Sequence, residues 1–97
     1  MSMKQTEVEG ARIITVHGNS MLPLYRHGDQ LIVSDQVPIA LGDRILIESR
    51  RHGTLGGTLL YRNQAGITLM LGGRSRQDVL VEPEHIDFLG RIVWASQ

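Results

Sequence analysis

The sequence predicts an all-β fold, a compact domain of short, mostly antiparallel strands. Three observations carry that expectation. Apolar residues fall in short runs of Ile, Leu and Val, no stretch keeps a helical period beyond one turn, and Gly, Pro and Asx signals recur between the runs. With 97 residues, 41% of them apolar but including one Phe, one Trp and two Tyr, the chain has room for one small domain with an aliphatic core.

Met1 to Gly10 is polar, with Lys4, Gln5, Glu7 and Glu9, and reads as a flexible arm of residues 1–10 ahead of a domain spanning 11–97. Ala11 to Val16 is the first strand, apolar at Ile13, Ile14 and Val16. A turn follows, Val16-His-Gly-Asn-Ser-Met-Leu-Pro-Leu-Tyr-Arg-His-Gly-Asp29, in which Gly18 frees the backbone, Pro23 stops a helix after one turn, and Gly28-Asp29 turns again. Gln30 to Ser34 is a buried strand between Asp29 and Asp35. Pro38 and Gly42 bracket a loop. A second Gly-Asp pair, Gly42-Asp43, opens the strand Arg44 to Ser49, with Ile45 and Ile47 on one face.

Arg50 to Gly57 reads as a hairpin turn, because His52-Gly53 and Gly56-Gly57 offer positive-φ positions. Thr58 to Arg62 is the returning strand, Asn63 to Gly66 a further turn, and Ile67 to Leu71 alternates cleanly between two faces. Gly72-Gly73 opens a basic loop at Arg74-Ser75-Arg76. Val79 to Val81 is a short strand stopped before Pro83, and Ile86 to Ala95 is the closing strand.

Composition narrows the function classes. There is no cysteine, which removes disulfides and thiolate metal sites and fits a reducing compartment. No window reaches the roughly 20 apolar residues of a membrane span, and no basic-then-apolar segment opens the chain, so it reads as cytoplasmic, without a membrane partner. Formal charge is zero, yet Arg50, Arg51, Arg62, Arg74 and Arg76 fall in a stretch without acids, between acidic flanks. Scattered over strands and turns with little aromatic interleaving, these arginines read as a solvated face, and direct nucleic-acid binding is not expected. No pair of histidines or carboxylates has metal-ligand spacing, so no metal or other cofactor is expected.

The order G-x-S-M-x-P over Gly18 to Pro23, then Gly28-Asp29 and Gly42-Asp43, resembles the Ser-Lys peptidase superfamily. That superfamily contains the LexA and phage CI repressor C-terminal domains, UmuD, and the bacterial and ER signal peptidases. The resemblance covers about half the chain and implies the LexA-like β fold with Ser20 as nucleophile, supported by Gly18, Met21, Pro23, Gly28 and Asp29. Lack of a membrane anchor favours the repressor and UmuD branch. Only nineteen residues precede Ser20, too few for a helix-turn-helix domain, so the chain reads either as a domain cut from a longer protein, with a DNA-binding domain or partner protein outside it, or as a free-standing one. Family self-cleavage sites lie before the first strand at small-residue pairs such as Ala-Gly. Gly10-Ala11 is the nearest equivalent here, and it reads instead as the entry to the strand.

The family's general base is a buried lysine whose proton affinity falls with desolvation, placed in the strand after the second Gly-Asp and just before an arginine. Matching that strand to Thr58-Leu-Leu-Tyr-Arg62 puts Tyr61 at the base position, and a phenol, with a usual pKa near ~10, is a poor base at neutral pH. The single lysine, Lys4, lies in the arm. His17 and His27 flank the turn, His52 sits at a hairpin tip and His85 in a Pro-bounded loop, and each reads as a surface histidine. The expectation is therefore a LexA-like domain without proteolysis, a homodimeric regulatory module of a phage-repressor-type transcriptional regulator. Family members pair through their C-terminal strands, which makes Ile86 to Trp94 the candidate interface, with Phe88 and Trp94 as anchors. The alternative is an active serine peptidase using Ser20 with a non-standard base.

Overall fold

The computed structural model describes residues 5–8, 10–18, 21, 24–71 and 77–96. Its strands are β1 (Gln5–Val8), β2 (Ala11–Thr15), β3 (Gln30–Ser34), β4 (Arg44–Ser49), β5 (Gly53–Asn63), β6 (Gly66–Leu71), β7 (Gln77–Val81) and β8 (Ile86–Ala95), with a 3-10 turn at Pro83–His85. All neighbours pair antiparallel in one sheet, in the order β1-β2-β3-β8-β4-β5-β6-β7. The expected all-β fold is present. Among the described residues no helix is long and apolar enough to cross a membrane.

Two cores lie on opposite faces of this sheet. Alternation along β4 sends Leu46 into one, with Ile14, Leu31, Val33, Phe88 and Ile92, while Ile45 and Ile47 enter the other with Leu55, Leu59, Ile67, Leu69 and Val81. β4 is therefore covered on both sides. Its apolar run Ile45-Leu46-Ile47 is fully buried for that reason.

Two expectations about elements change. Over Gln5–Val8 the arm expected to be flexible is an edge strand, pairing Gln5 with Ile14 through Val8 with Ala11. The turn expected over Arg50 to Gly57 is confined to Arg50, Arg51 and His52, because β5 starts at Gly53. Gly56 and Gly57 serve close approach within the strand, where neither has positive φ. A Cβ on Gly56 would collide with Met21 Cε, and one on Gly57 with the Met70 carbonyl of β6.

The two Gly-Asp pairs build the same turn. Asp29 N–H donates to the Arg26 carbonyl at 3.0 Å while Asp29 Oδ2 accepts from Arg26 N–H at 2.9 Å. Asp43 repeats this with Ala40, at 3.1 and 2.8 Å. Gly28 and Gly42 hold φ of 95° and 93° at the third position, as a type II turn requires.

Candidate functional site

The turn after β2 is closed at its neck by two backbone hydrogen bonds. Val16 N–H donates to the Asp29 carbonyl and Gly28 N–H to the Val16 carbonyl, both at 2.8 Å. Two side chains anchor the loop to the sheet below. Met21 is 2% exposed and Tyr25 3%, both joining the Leu46 core, and Tyr25 N–H closes a single turn on the Met21 carbonyl at 3.0 Å. Met21 rests on β5 at Gly56, with Tyr25 beside it. Burial of these two side chains fixes where the loop sits.

Of the residues expected at the site, Gly18, Met21, Gly28 and Asp29 come together in or at the base of this loop. Ser20 and Pro23 lie outside the described residues. Tyr61 does not approach the loop. It is 62% exposed on β5, beyond a bulge between Leu59 and Tyr61, opposite Thr68 and about 15 Å along the strand from Gly56. The β5 residue under the loop is Gly56. Between Gly53 and Leu60 this strand carries no ionisable side chain.

A contact that sequence reasoning missed joins the two ends of the loop. The His17 and His27 rings meet edge to face, centroids 5.5 Å apart at 75°. Gly18 N–H donates to His27 Nδ1 at 3.0 Å, with Gly18 at φ 75°. Pairing of Val16 with Gly28 and Asp29 is what makes positions 17 and 27 neighbours across the neck. His52 is exposed at the β4–β5 tip as expected, and His85 is half buried in the 3-10 turn. Among the described residues no three His, Asp or Glu side chains form a metal-binding group.

A family model described as Peptidase S24-like matches residues 2–93. The chain belongs to that family. Neither the curated proteins nor the solved structures compared with it give a match.

Two further parts of this S24-like domain bear on the expectations. The Gly10–Ala11 bond lies at the β1–β2 turn, its Gly10 carbonyl accepting from Ser34 Oγ at 2.7 Å. The paired strand β2 separates it from Val16 by about 17 Å, so in this fold the bond sits far from the turn that follows β2. In the C-terminal strand Phe88 is a core residue, 8% exposed with the Arg12 guanidinium 3.8 Å above its ring, and does not serve as a surface anchor. Trp94 is 51% exposed. A register shift between Ile32 and Val33 pairs Val33 with Ile92 but Ile32 with Trp94, leaving Val93 as the extra residue of a bulge. That bulge turns Trp94 out of the Leu46 core and aligns it with Ile32 and, across β2, Ile13.

The arginine-rich middle is partly engaged within the chain. Arg50 donates to the Glu84 carbonyl and lies 3.2 Å from Asp87, while Arg51 and Arg62 are exposed. Arg74 and Arg76 lie outside the described residues.

Proposed function

We propose that this S24-like domain lacks proteolysis and acts in the cytoplasm as a regulatory and dimerisation module of a phage-repressor-type transcription regulator, with DNA contact supplied from outside this chain. The observation that carries the reading is the makeup of β5 beneath the loop, where Gly56 meets Met21 and no residue from Gly53 to Leu60 can accept a proton. A serine hydroxyl is a weak nucleophile until a base takes its proton. Tyr61, exposed beyond the bulge, is poorly placed to supply that base.

Dimerisation rests on the outer face of β2, β3 and β8. Ile13, Ile32 and Trp94 form one cross-strand apolar row there, and the bulged Val93 is exposed beside it. An apolar row on an open sheet face suits a self-complementary contact with a second copy. A second reading keeps Ser20 active with a histidine base, and the meeting of His17 and His27 at the neck of its loop favours it.

One experiment separates the two. Purified wild-type and Ser20→Ala proteins are incubated, alone and with peptide substrates, and products are read by mass spectrometry while sedimentation reads the oligomer. The module reading expects no cleavage from either protein and the same dimer from both. Cleavage by the wild type that Ser20→Ala abolishes would establish the peptidase. For the interface, Trp94→Ala should weaken the dimer by about thirtyfold or more, the scale of a central aromatic anchor. An unchanged dimer would remove this face from the proposal.

A further inference from the structure

We propose that the open face of β4 to β7 is a self-association surface, on which two copies of this chain pack sheet on sheet about a two-fold axis running along the strands. The register places its side chains. Arg44 of β4 pairs with Thr58 of β5, Thr58 with Met70 of β6, and Met70 with Asp78 of β7, which makes one cross-strand row. Leu46 and Gly56, two residues along their strands, belong to the side where Met21 packs, so the row lies on that side and away from Ile45 and Leu59. Beyond the bulge at Leu60 a second row follows, Tyr61, Thr68 and Leu80. Gly42 N–H donates to the Leu59 carbonyl at 2.8 Å, which brings Leu41 alongside the Tyr61 end of β5. Leu41, Tyr61 and Leu80 are 67%, 62% and 46% exposed, three of the five large apolar side chains open to water among the described residues. The other two, Val93 and Trp94, belong to the outer face of β2, β3 and β8.

The charges select both the occupant and the axis. Arg44 is exposed at one end of the first row, with no ion-pair partner among the described residues. Asp78 is exposed at the other end, and Glu82 is exposed beside Leu80. Asp43, next to Arg44, is held by Arg91 at 3.6 Å. Asp78 is also engaged within its own chain, and a carboxylate accepts from more than one donor. Half a turn about an axis parallel to the strands, midway between β5 and β6, sets β4 of one copy over β7 of the other. Each Arg44 then meets an Asp78, each Thr58 a Met70, each Tyr61 a Thr68, and each Leu41 end a Leu80 end. A two-fold across the strands would instead set Arg44 on Arg44 and Asp78 on Asp78. Apolar and charged positions thus both match under the same rotation, which fits a second copy of this chain. Sheets aligned in this way pack about 10 Å apart. Four strands span only about 14 Å, so the contact falls short of the ~800 Å² per partner of a stable dimer, and the association is weak. It uses other strands than the row of Ile13, Ile32 and Trp94 and the other side of the sheet, and it rests neither on that contact nor on the proposed loss of proteolysis.

The test is sedimentation equilibrium of the full chain, as wild type and with Trp94→Ala to remove the contact proposed above, at protein concentrations up to about 1 mM. The Trp94→Ala protein should still pass from monomer to dimer, less readily as salt rises from about 0.05 M to about 0.5 M and screens the charged pairs. In that background Arg44→Asp and Asp78→Arg, each alone, should weaken association about tenfold or more, because each sets like charges together twice. Mixed in equal amounts, the two reversed variants should associate again, since each supplies the charge the other has lost. Both reversals in one chain should recover self-association as well. Leu80→Lys should abolish it, and this arm reads the face even if a charge reversal fails to fold. Absence of association in Trp94→Ala at every concentration overturns the proposal. So does association indifferent to these substitutions, or a loss that neither the mixture nor the double reversal recovers. Association unchanged by Trp94→Ala but weakened by the reversals would remove the Trp94 contact and leave this one standing.

Discussion

Arg12 does two jobs at the end of the Leu46 core. Its guanidinium covers the Phe88 ring at 3.8 Å and reaches Glu48 at 3.6 Å, both half shielded from water. A partly desolvated cation over an aromatic face is worth more than an exposed ion pair. Arg12→Ala should lower stability by about 1–2 kcal/mol in urea titration, with Arg12→Lys recovering part, because an ammonium cannot lay a planar group on the ring. Asp43 offers a second case, since its carboxylate accepts from Ala40 N–H and lies 3.6 Å from Arg91. Asp43→Ala should cost about 1 kcal/mol by the same measurement. The Gly-Asp turns were legible because glycine and aspartate each meet a local geometric demand. The meeting of His17 and His27 was not, because it depends on which backbone atoms pair at the neck and not on spacing along the chain.

Among the elements, β5 departs furthest from its sequence signal. Paired glycines usually mark a turn, and Gly56-Gly57 carries that mark inside an eleven-residue strand. Their reasons differ, and so should their tolerance. A methyl on Gly56 meets the mobile end of Met21, whereas one on Gly57 meets the Met70 carbonyl in the backbone of β6. Gly57→Ala should therefore destabilise more, by about 1–3 kcal/mol or beyond, and Gly56→Ala less, with its effect felt in the turn. Equal losses in urea titration would contradict this account. Strands β3 and β4 match their expected limits because each is a short apolar run bounded by polar or turn residues. The outward turn of Trp94 escaped the sequence for the opposite reason. Strict alternation puts Phe88 and Trp94 on one face, and the bulge at Val93 separates them.

For the molecule as a whole, the two cores meet at β4. Leu46→Ala, fully buried at the start, should cost about 2–5 kcal/mol, and the loss should register in one cooperative transition because Ile45 and Ile47 tie the same strand to the other core. Two separate transitions would show the cores to be independent. The fold class was legible, since run length and turn signals record strands directly, but the division into two cores was not, because it comes from how β8 joins the halves. That position has a consequence for synthesis. β8 is last in the chain yet sits between β3 and β4, with β1 to β3 on one side and β4 to β7 on the other. On the ribosome the two halves emerge in turn, each with an open edge where the final strand belongs. The sheet cannot become continuous until the last ten-residue strand has cleared the exit tunnel.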